Sequence, residues 1–188
     1  RVAAYVPNKI ETIISFLACA KNGIIWSSCS PDFGVQGVVD RFKQIEPKVL
    51  ITCDYYFYNG KKINILDKVD EVIKQIPSIE KVIVYSYNKK EKENLKNFIN
   101  FEENLNNYLD EFFERFEFNH PIYILFSSGT TGKPKCITHG SGNVLIEHNK
   151  EFMLHCDIRE NEKLFYYTTT GWMMWNWLVG GLATGSSI

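Results

Sequence analysis

The sequence lacks paired cysteines, long apolar runs and an excess of charge of either sign. Its five cysteines are an odd number and none stands in a C-x-x-C spacing, so neither a disulfide framework nor a zinc site is indicated. No apolar run reaches the ~20 residues that a membrane span needs, and no signal-peptide pattern opens the chain. Because 21 basic residues stand against 22 acidic ones, a broadly basic nucleic-acid surface is excluded. These absences predict a cytoplasmic protein with neither nucleic acid nor membrane as a partner.

What is present is the composition of a soluble globular domain. The 188 residues are 45% hydrophobic and 23% charged, which is enough to build a real core. However, the chain opens at Arg1 without a methionine and ends in an apolar stretch rich in Gly and Ser. We therefore expect residues 1–188 to be part of a larger domain, the remainder of which covers some of the apolar surface.

Residues 1–85 alternate between short apolar runs and segments with apolar residues at helical spacing. The runs predict four strands, at Val2–Val6, Ile24–Ser28, Val49–Thr52 and Val82–Tyr85. The segments between them predict a helix from Ile10, with Asn8 as its cap, a second helix after Asp32 and a third over Ile63–Ile76. Such alternation is typical of an α/β fold with a mainly parallel sheet covered on both faces.

The rest of the chain divides into two further subregions. Residues 86–120 are a polar and amphipathic insertion, in which Asn, Lys and Glu dominate Asn88–Asn97 and the spacing predicts an amphipathic helix over 105–116. Residues 121–188 carry the candidate chemistry. They begin with a predicted strand, Ile122–Phe126, and include a predicted helix from Gly140 to about His155.

The nine residues after that strand carry the groups that polyphosphate binding needs. Two glycines let the backbone approach a ligand, successive N–H groups form an anion-binding nest, and hydroxyls and ammonium groups add donors and positive charge. The candidate phosphate-binding residues are Ser127, Ser128, Gly129, Thr130, Thr131, Gly132, Lys133 and Lys135. A Walker A loop is disfavoured, because only two residues separate the glycines and Pro134 follows Lys133. A polar hairpin turn without a ligand is the alternative.

The string Ser128–Lys135 resembles the signature phosphate loop of the adenylate-forming superfamily, which includes acyl-CoA synthetases. The resemblance covers nearly the whole chain and implies part of the large N-terminal domain of such an enzyme. It implies a ligase that activates a carboxylate with ATP and transfers the acyl group to coenzyme A. It also implies that the loop holds the β- and γ-phosphates of ATP. Of the two loop lysines, Lys135 is the stronger candidate for a phosphate contact. The resemblance gives none of residues 1–188 a role as catalytic residue or metal ligand. Mg²⁺ is expected, with its ligands outside this chain, like the adenine-contacting motifs and the small C-terminal domain.

Three strings narrow the acid: Ser27–Gly34, Phe118–Pro121 and Thr168–Asn176 resemble members of the superfamily that act on acetoacetate. Acetate or another short acid is the alternative within the class. The resemblance implies that the last string borders the acyl pocket, with candidate residues Gly171, Trp172, Met174, Trp175 and Asn176. The two tryptophans would limit the pocket's length, and Asn176 would hydrogen-bond the 3-keto oxygen of acetoacetate. A buried aromatic cluster without ligand contact is the alternative.

Two lysines, Lys61 and Lys62, fall where related synthetases bind the nucleotide of coenzyme A, although an ordinary solvated turn would look the same. His139 and His148 are interpreted as structural or surface residues. Outside the ligases, the alternative is a nucleotide-binding module without ligase activity, for which ATP alone would be the ligand.

Overall fold

The computed structural model describes residues 1–88, 98–105, 113–127 and 132–188. Seven strands form the main sheet: β1 (Val2–Tyr5), β2 (Trp26–Cys29), β3 (Val49–Cys53), β6 (Lys81–Tyr85), β7 (Ile99–Asn100), β8 (Pro121–Ser127) and β9 (Lys135–Gly140). Their spatial order is β7-β6-β3-β1-β2-β8-β9, and neighbours are parallel except for β8 and β9, which are antiparallel. The predicted mainly parallel α/β fold is therefore confirmed.

Within the described residues, a separate antiparallel hairpin and six α-helices accompany this sheet. The hairpin joins β4 (Tyr55–Tyr58) to β5 (Lys61–Asn64). The helices are α1 (Ile10–Lys21), α2 (Val35–Ile45), α3 (Leu66–Gln75), α4 (Phe101–Asn104), α5 (Ser141–Lys150) and α6 (Met173–Gly180). A π-helical turn, Glu151–His155, continues α5, and a 3₁₀ turn, Gly181–Thr184, continues α6.

The second helix shows how the sequence pattern sets the fold. Val38, Val39, Phe42 and Ile45 are buried, and they recur three to four residues apart, which places them on one side of α2. The helix ends at Ile45, its C-cap residue Glu46 has a left-handed φ of 44°, and Pro47 follows. Helix spacing, apolar face and stop signal all agree, so α2 lies where its periodicity predicts.

The core is centred on β1, whose four residues are all buried. Three large rings from different elements pack together in this core: Phe16 of α1, Trp26 of β2 and Trp175 of α6. The planes of Trp26 and Trp175 are stacked with ring centroids 6.4 Å apart, and the ring of Phe16 meets each of them edge-on at 5.8 Å. Offset and edge-to-face contacts of this kind add about 0.5–1.5 kcal/mol each beyond their burial.

Two predictions within residues 1–85 are wrong in detail. The third helix begins at Leu66 instead of Ile63, because Lys61–Asn64 pairs with the preceding strand around Asn59-Gly60, whose φ angles are 48° and 72°. Asn8 does not cap α1. Lys9 holds the N-cap position without a side-chain bond, and the Asn8 carboxamide oxygen accepts from the indole N–H of Trp175 at 2.9 Å.

The polar insertion contributes more to the sheet than its composition predicts. Ile99–Asn100 pairs in parallel with β6 and extends the sheet by one short edge strand, and the Asn100 side chain then caps α4. The helix predicted over 105–116 falls largely on residues 106–112, which lie outside the described residues. Its last residues, from Phe113 to Phe116, are not helical.

None of the helices within the described ranges is long and apolar enough to cross a membrane.

Candidate active site

The carboxyl ends of the parallel strands β1, β2, β3 and β8 meet at one edge of the sheet. Tyr5, Cys29, Cys53 and Ser127 are the last residues of these four strands. In open α/β sheets, ligands bind in the crevice outside this edge. The predicted phosphate loop follows β8 and therefore begins at the edge where a ligand is expected.

The two arms of the loop are held by regular strand pairing. Ser127, at its start, is the register partner of Lys135, at its end, in the β8–β9 ladder. Gly132 has a φ of +113°, a conformation that L side chains rarely adopt, which explains why a glycine stands there. Ser128, Gly129, Thr130 and Thr131 lie outside the described residues. Phosphate binding by the loop stays a prediction.

The two lysines of the loop have different surroundings. Lys133 lines a polar cleft of about 360 Å³ together with side chains of α2 and α3, among them Gln36, Asp40 and Gln44. Lys135 is the exposed first residue of β9. Within the described part of the chain, neither ammonium group forms a salt bridge. Both charges can therefore meet an anion without first breaking an ion pair.

A second cavity of about 360 Å³ lies between α1, β8, α5 and α6. Most of its lining is apolar; its polar members are Ser141, His148, Asn149 and Asn176. Asn176 is only 2% exposed, and neither its amide nitrogen nor its oxygen has a hydrogen-bond partner among the described residues. A buried polar group left unpaired costs about 1–3 kcal/mol. The unpaired amide beside an apolar space makes Asn176 a candidate for a ligand contact.

His148 belongs to α5, and its ring lies against Gly180 of α6. Burial lowers the pKa of its imidazole, so the ring is neutral near pH 7. A Cβ added to Gly180 would stand 2.3 Å from Nδ1 of His148, so only glycine at this position lets the ring lie against α6. The same ring lines the cavity that Asn176 faces.

The structure separates the five predicted acyl-pocket residues. Of these, Asn176 lines the cavity, whereas its neighbour Trp175 is fully buried in the core with Trp26 and Phe16. Trp175 thus occupies the buried aromatic cluster that was the alternative to a ligand contact. Trp172 is 54% exposed. Met174 is half-buried, and a Cβ on Gly171 would stand 3.2 Å from the Ser30 nitrogen.

The predicted coenzyme A lysines belong to the β4–β5 hairpin, beside a small cleft at the carboxyl edge. This cleft of about 120 Å³ is lined by residues that follow β1 and β2, by residues 168–170 and by Tyr56–Tyr58 of the hairpin. The Lys62 ammonium lies 3.8 Å from the ring centroid of Tyr55, a cation–π contact. Lys61, the register partner of Tyr58, is exposed. Nucleotide binding by either lysine stays a prediction.

Sequence reasoning did not identify Gln44 and interpreted His148 only as a structural or surface residue. His148 carries no motif, and its place in the cavity wall depends on α6, far along the chain. Gln44 donates to the carbonyl of Pro134, which is 90 residues away. No local pattern in the sequence signals either contact.

The described residues contain no group of three or more His, Cys, Asp or Glu side chains that could hold a metal ion.

Comparison with known proteins decides the family. The model of the AMP-binding enzyme family matches residues 1–188, the whole chain. The chain belongs to the AMP-binding enzyme family. The chain is 50% identical over 194 residues to acetoacetyl-coenzyme A synthetase of Rhizobium meliloti (strain 1021). This alignment covers 100% of the chain and 29% of the relative. The chain is 43% identical over 208 residues to malonamoyl-CoA synthetase of Penicillium aethiopicum, covering 100% and 27%.

The chain also matches a solved structure, that of acetoacetyl-CoA synthetase from Streptomyces lividans. The TM-score is 0.95 at 42% identity, over 100% of this chain and 29% of that one. The chain therefore has the fold of the corresponding part of this structure. The chain spans less than a third of the length of the proteins it matches.

Proposed function

We propose that the full-length protein is an ATP-dependent acid–CoA ligase and that its acid is acetoacetate. The observation that carries the proposal is the match of the whole chain, at 42–50% identity, to proteins named acetoacetyl-CoA synthetase. Because the chain spans about 29% of their length, the reaction needs groups beyond residues 1–188. Residues 1–188 are then part of the adenylating domain, with 1–85, 86–120 and 121–188 as its subregions.

In the first half-reaction, a carboxylate oxygen of the acid attacks the α-phosphorus of ATP. The bond from that phosphorus to the bridging oxygen breaks, and pyrophosphate leaves with the electron pair. The loop would hold the β- and γ-phosphates and offset the charge on the leaving group. Backbone N–H groups of two glycines, four hydroxyls and two ammonium groups would do this: Gly129, Gly132, Ser127, Ser128, Thr130, Thr131, Lys133 and Lys135. The strand pairing at Ser127 and Lys135 supports a preorganised loop.

In the second half-reaction, the sulfur of coenzyme A attacks the acyl carbon and AMP leaves. The cleft beside the β4–β5 hairpin opens at the same sheet edge as the phosphate loop, which supports binding of coenzyme A there. Of the two hairpin lysines, Lys61 is the stronger candidate for a nucleotide phosphate, because the ammonium of Lys62 already rests on the Tyr55 ring.

The cavity that Asn176 lines extends to Ile122 and Tyr123, at the amino end of β8, whereas the phosphate loop begins at Ser127, at the other end of that strand. The acyl group is therefore proposed to contact Asn176 itself, and the cavity as a whole is not assigned to it. The amide nitrogen would donate to the 3-keto oxygen of acetoacetate. Malonamate, the acid named in the Penicillium relative, also carries a carbonyl oxygen at that position. Gly171, Trp172 and Met174 do not line this cavity, and their role in the acyl pocket stays a prediction. Acetate has no such oxygen and would leave the amide unpaired, which disfavours the short-acid alternative.

Mg²⁺ would assist the first half-reaction by neutralising phosphate charge. The described residues offer no cluster of metal-ligating side chains, so we derive no step through the ion from them.

The test is product formation by the full-length protein with ATP, coenzyme A and acetoacetate. We expect AMP, pyrophosphate and a thioester to form together, and no thioester when ATP is omitted. A protein that binds ATP but forms none of these products would be the nucleotide-binding module, contrary to the proposal.

The loop is tested with Thr131→Val and Lys135→Met. Each removes a group proposed to contact phosphate, and we expect pyrophosphate release to slow about a hundred- to a thousand-fold, the range for loss of a transition-state donor. Lys74→Met, which removes an exposed lysine of α3, is the matched control. Unchanged pyrophosphate release in both loop variants would contradict the assignment.

A further inference from the structure

We propose that Gln44, on the last turn of α2, is a positioning residue for the phosphate loop. This inference rests on the proposed function, because Gln44 has this role only if the loop binds ATP. The side chain of Gln44 is exposed, so hydrophobic burial does not hold it in place. Its position is set instead by hydrogen bonds, one of which joins the helix to the loop across 90 residues of sequence.

Every hydrogen-bonding group of the Gln44 amide is engaged. The nitrogen donates to the carbonyl oxygen of Asp40, one turn earlier, at 2.6 Å, and to the carbonyl oxygen of Pro134 at 2.9 Å. The amide oxygen accepts from the thiol of Cys136 at 3.7 Å. Since an amide nitrogen carries two hydrogens, the bond to Asp40 fixes the orientation of the group and leaves the second hydrogen for Pro134.

The carbonyl that Gln44 holds is at the exit of the loop. It belongs to the peptide group between Pro134 and Lys135, and Lys135 is the residue that pairs with Ser127. Fixing the plane of this peptide sets the direction in which the chain leaves the loop and enters β9. The backbone of Lys135 is then held in one direction, and a donor that is preorganised needs no reorganisation when charge develops on the phosphates.

The same helix also contacts the arm that enters the loop. The guanidinium carbon of Arg41, one turn before Gln44, lies 6.0 Å from the ring centroid of Phe126 and 4.6 Å from that of Phe33. Phe126 directly precedes Ser127. One rigid helix thus contacts both arms of the loop, by a cation–π contact on one side and a hydrogen bond on the other.

The test uses Gln44→Met in the full-length protein, which removes the hydrogen bonds and keeps the length of the side chain. We expect kcat/KM for ATP in ATP–pyrophosphate exchange to fall about three- to ten-fold, the range for loss of one hydrogen bond. Transfer of the acyl group from synthetic acetoacetyl-adenylate to coenzyme A should be unchanged, because that step involves no β- or γ-phosphate. Gln44→Glu, which lacks the donor, should lower the exchange in the same way.

The control is Asn22→Leu, at the end of α1. Asn22 is also exposed, but its amide nitrogen donates to the carbonyl oxygen of Ala18 in α1 at 2.8 Å, and it lines neither of the two larger cavities. We expect wild-type kinetics from this variant. Wild-type exchange in both Gln44 variants, or an equal fall in both half-reactions, would overturn the proposal. A wild-type protein that exchanges no pyrophosphate with ATP would overturn the proposed function itself, and with it the role of Gln44.

Discussion

At the scale of single residues, Trp175 and Asn176 show how neighbours in sequence come to have different roles. Successive residues of an α-helix point about 100° apart, so one side chain can enter the core while the next faces a cavity. The Trp175 ring stacks on Trp26 and donates its indole N–H to Asn8. Asn176 places an amide without a described partner beside an apolar space. The polar residue is therefore the one suited to select a substrate.

Asn176→Leu tests that selection. The variant keeps the approximate size of the side chain and removes the hydrogen-bond donor, so we expect kcat/KM for acetoacetate to fall about ten- to a hundred-fold. Butyrate has the same chain length without the keto oxygen, and its kcat/KM should stay constant or rise. ATP–pyrophosphate exchange with each acid measures both values. An equal fall in kcat/KM for the two acids would show that Asn176 does not recognise the keto group.

His148 makes a prediction about pH. Burial lowers the pKa of the folded imidazole below its ordinary value of 6.5, so between the two pKa values the unfolded chain binds the extra proton. Stability from this group is therefore complete above pH 6.5 and declines as the pH falls below it. Between pH 7.5 and pH 5.5, we expect the midpoint temperature of thermal unfolding to fall less in His148→Gln than in the wild type. An identical loss in the two proteins would contradict this.

At the scale of elements, α6 connects the core, the cavity and α5. Asn176 and Gly180 are four residues apart and lie on the same face of the helix, and the His148 ring of α5 rests against Gly180. Close approach of two helices at a glycine brings the cavity's polar residues together. The width of the cavity is thus set by packing between these two helices.

Gly180→Ala tests this contact. Alanine is the better helix former by about 1 kcal/mol, but its Cβ would meet Nδ1 of His148 at 2.3 Å, and overpacking costs about 1–3 kcal/mol. We therefore expect a lower unfolding midpoint in Gly180→Ala. Adding His148→Ala to this variant removes the clash, so the double variant should be more stable than the His148→Ala single variant. A Gly180→Ala protein as stable as the wild type would rule the contact out.

At the scale of the whole molecule, local patterns predicted most of the sheet. Each apolar run and each helical face, such as that of α2, is complete within about a dozen residues of sequence. The β4–β5 hairpin was missed although its Asn59-Gly60 turn, with two positive φ angles, is a strong hairpin signal. The short strand Ile99–Asn100 has no such signal, because it pairs with β6 only at two residues.

The candidate site was harder to predict than the fold, for a physical reason. The phosphate loop is contiguous, so its residue types are visible in the sequence. The cavity that Asn176 lines combines α1, β8, α5 and α6, and the contact of Gln44 with Pro134 spans two distant elements. Periodicity contains no information on such pairings. It could not separate Trp175, which is in the core, from Asn176, which is in the cavity wall.

The most direct measurement is ATP–pyrophosphate exchange by the full-length protein with acetoacetate or acetate as the sole acid. A site that holds the keto group by the Asn176 amide should favour acetoacetate by about ten-fold or more in kcat/KM. We predict that result, with malonamate also accepted. Faster exchange with acetate than with acetoacetate would contradict the proposed substrate.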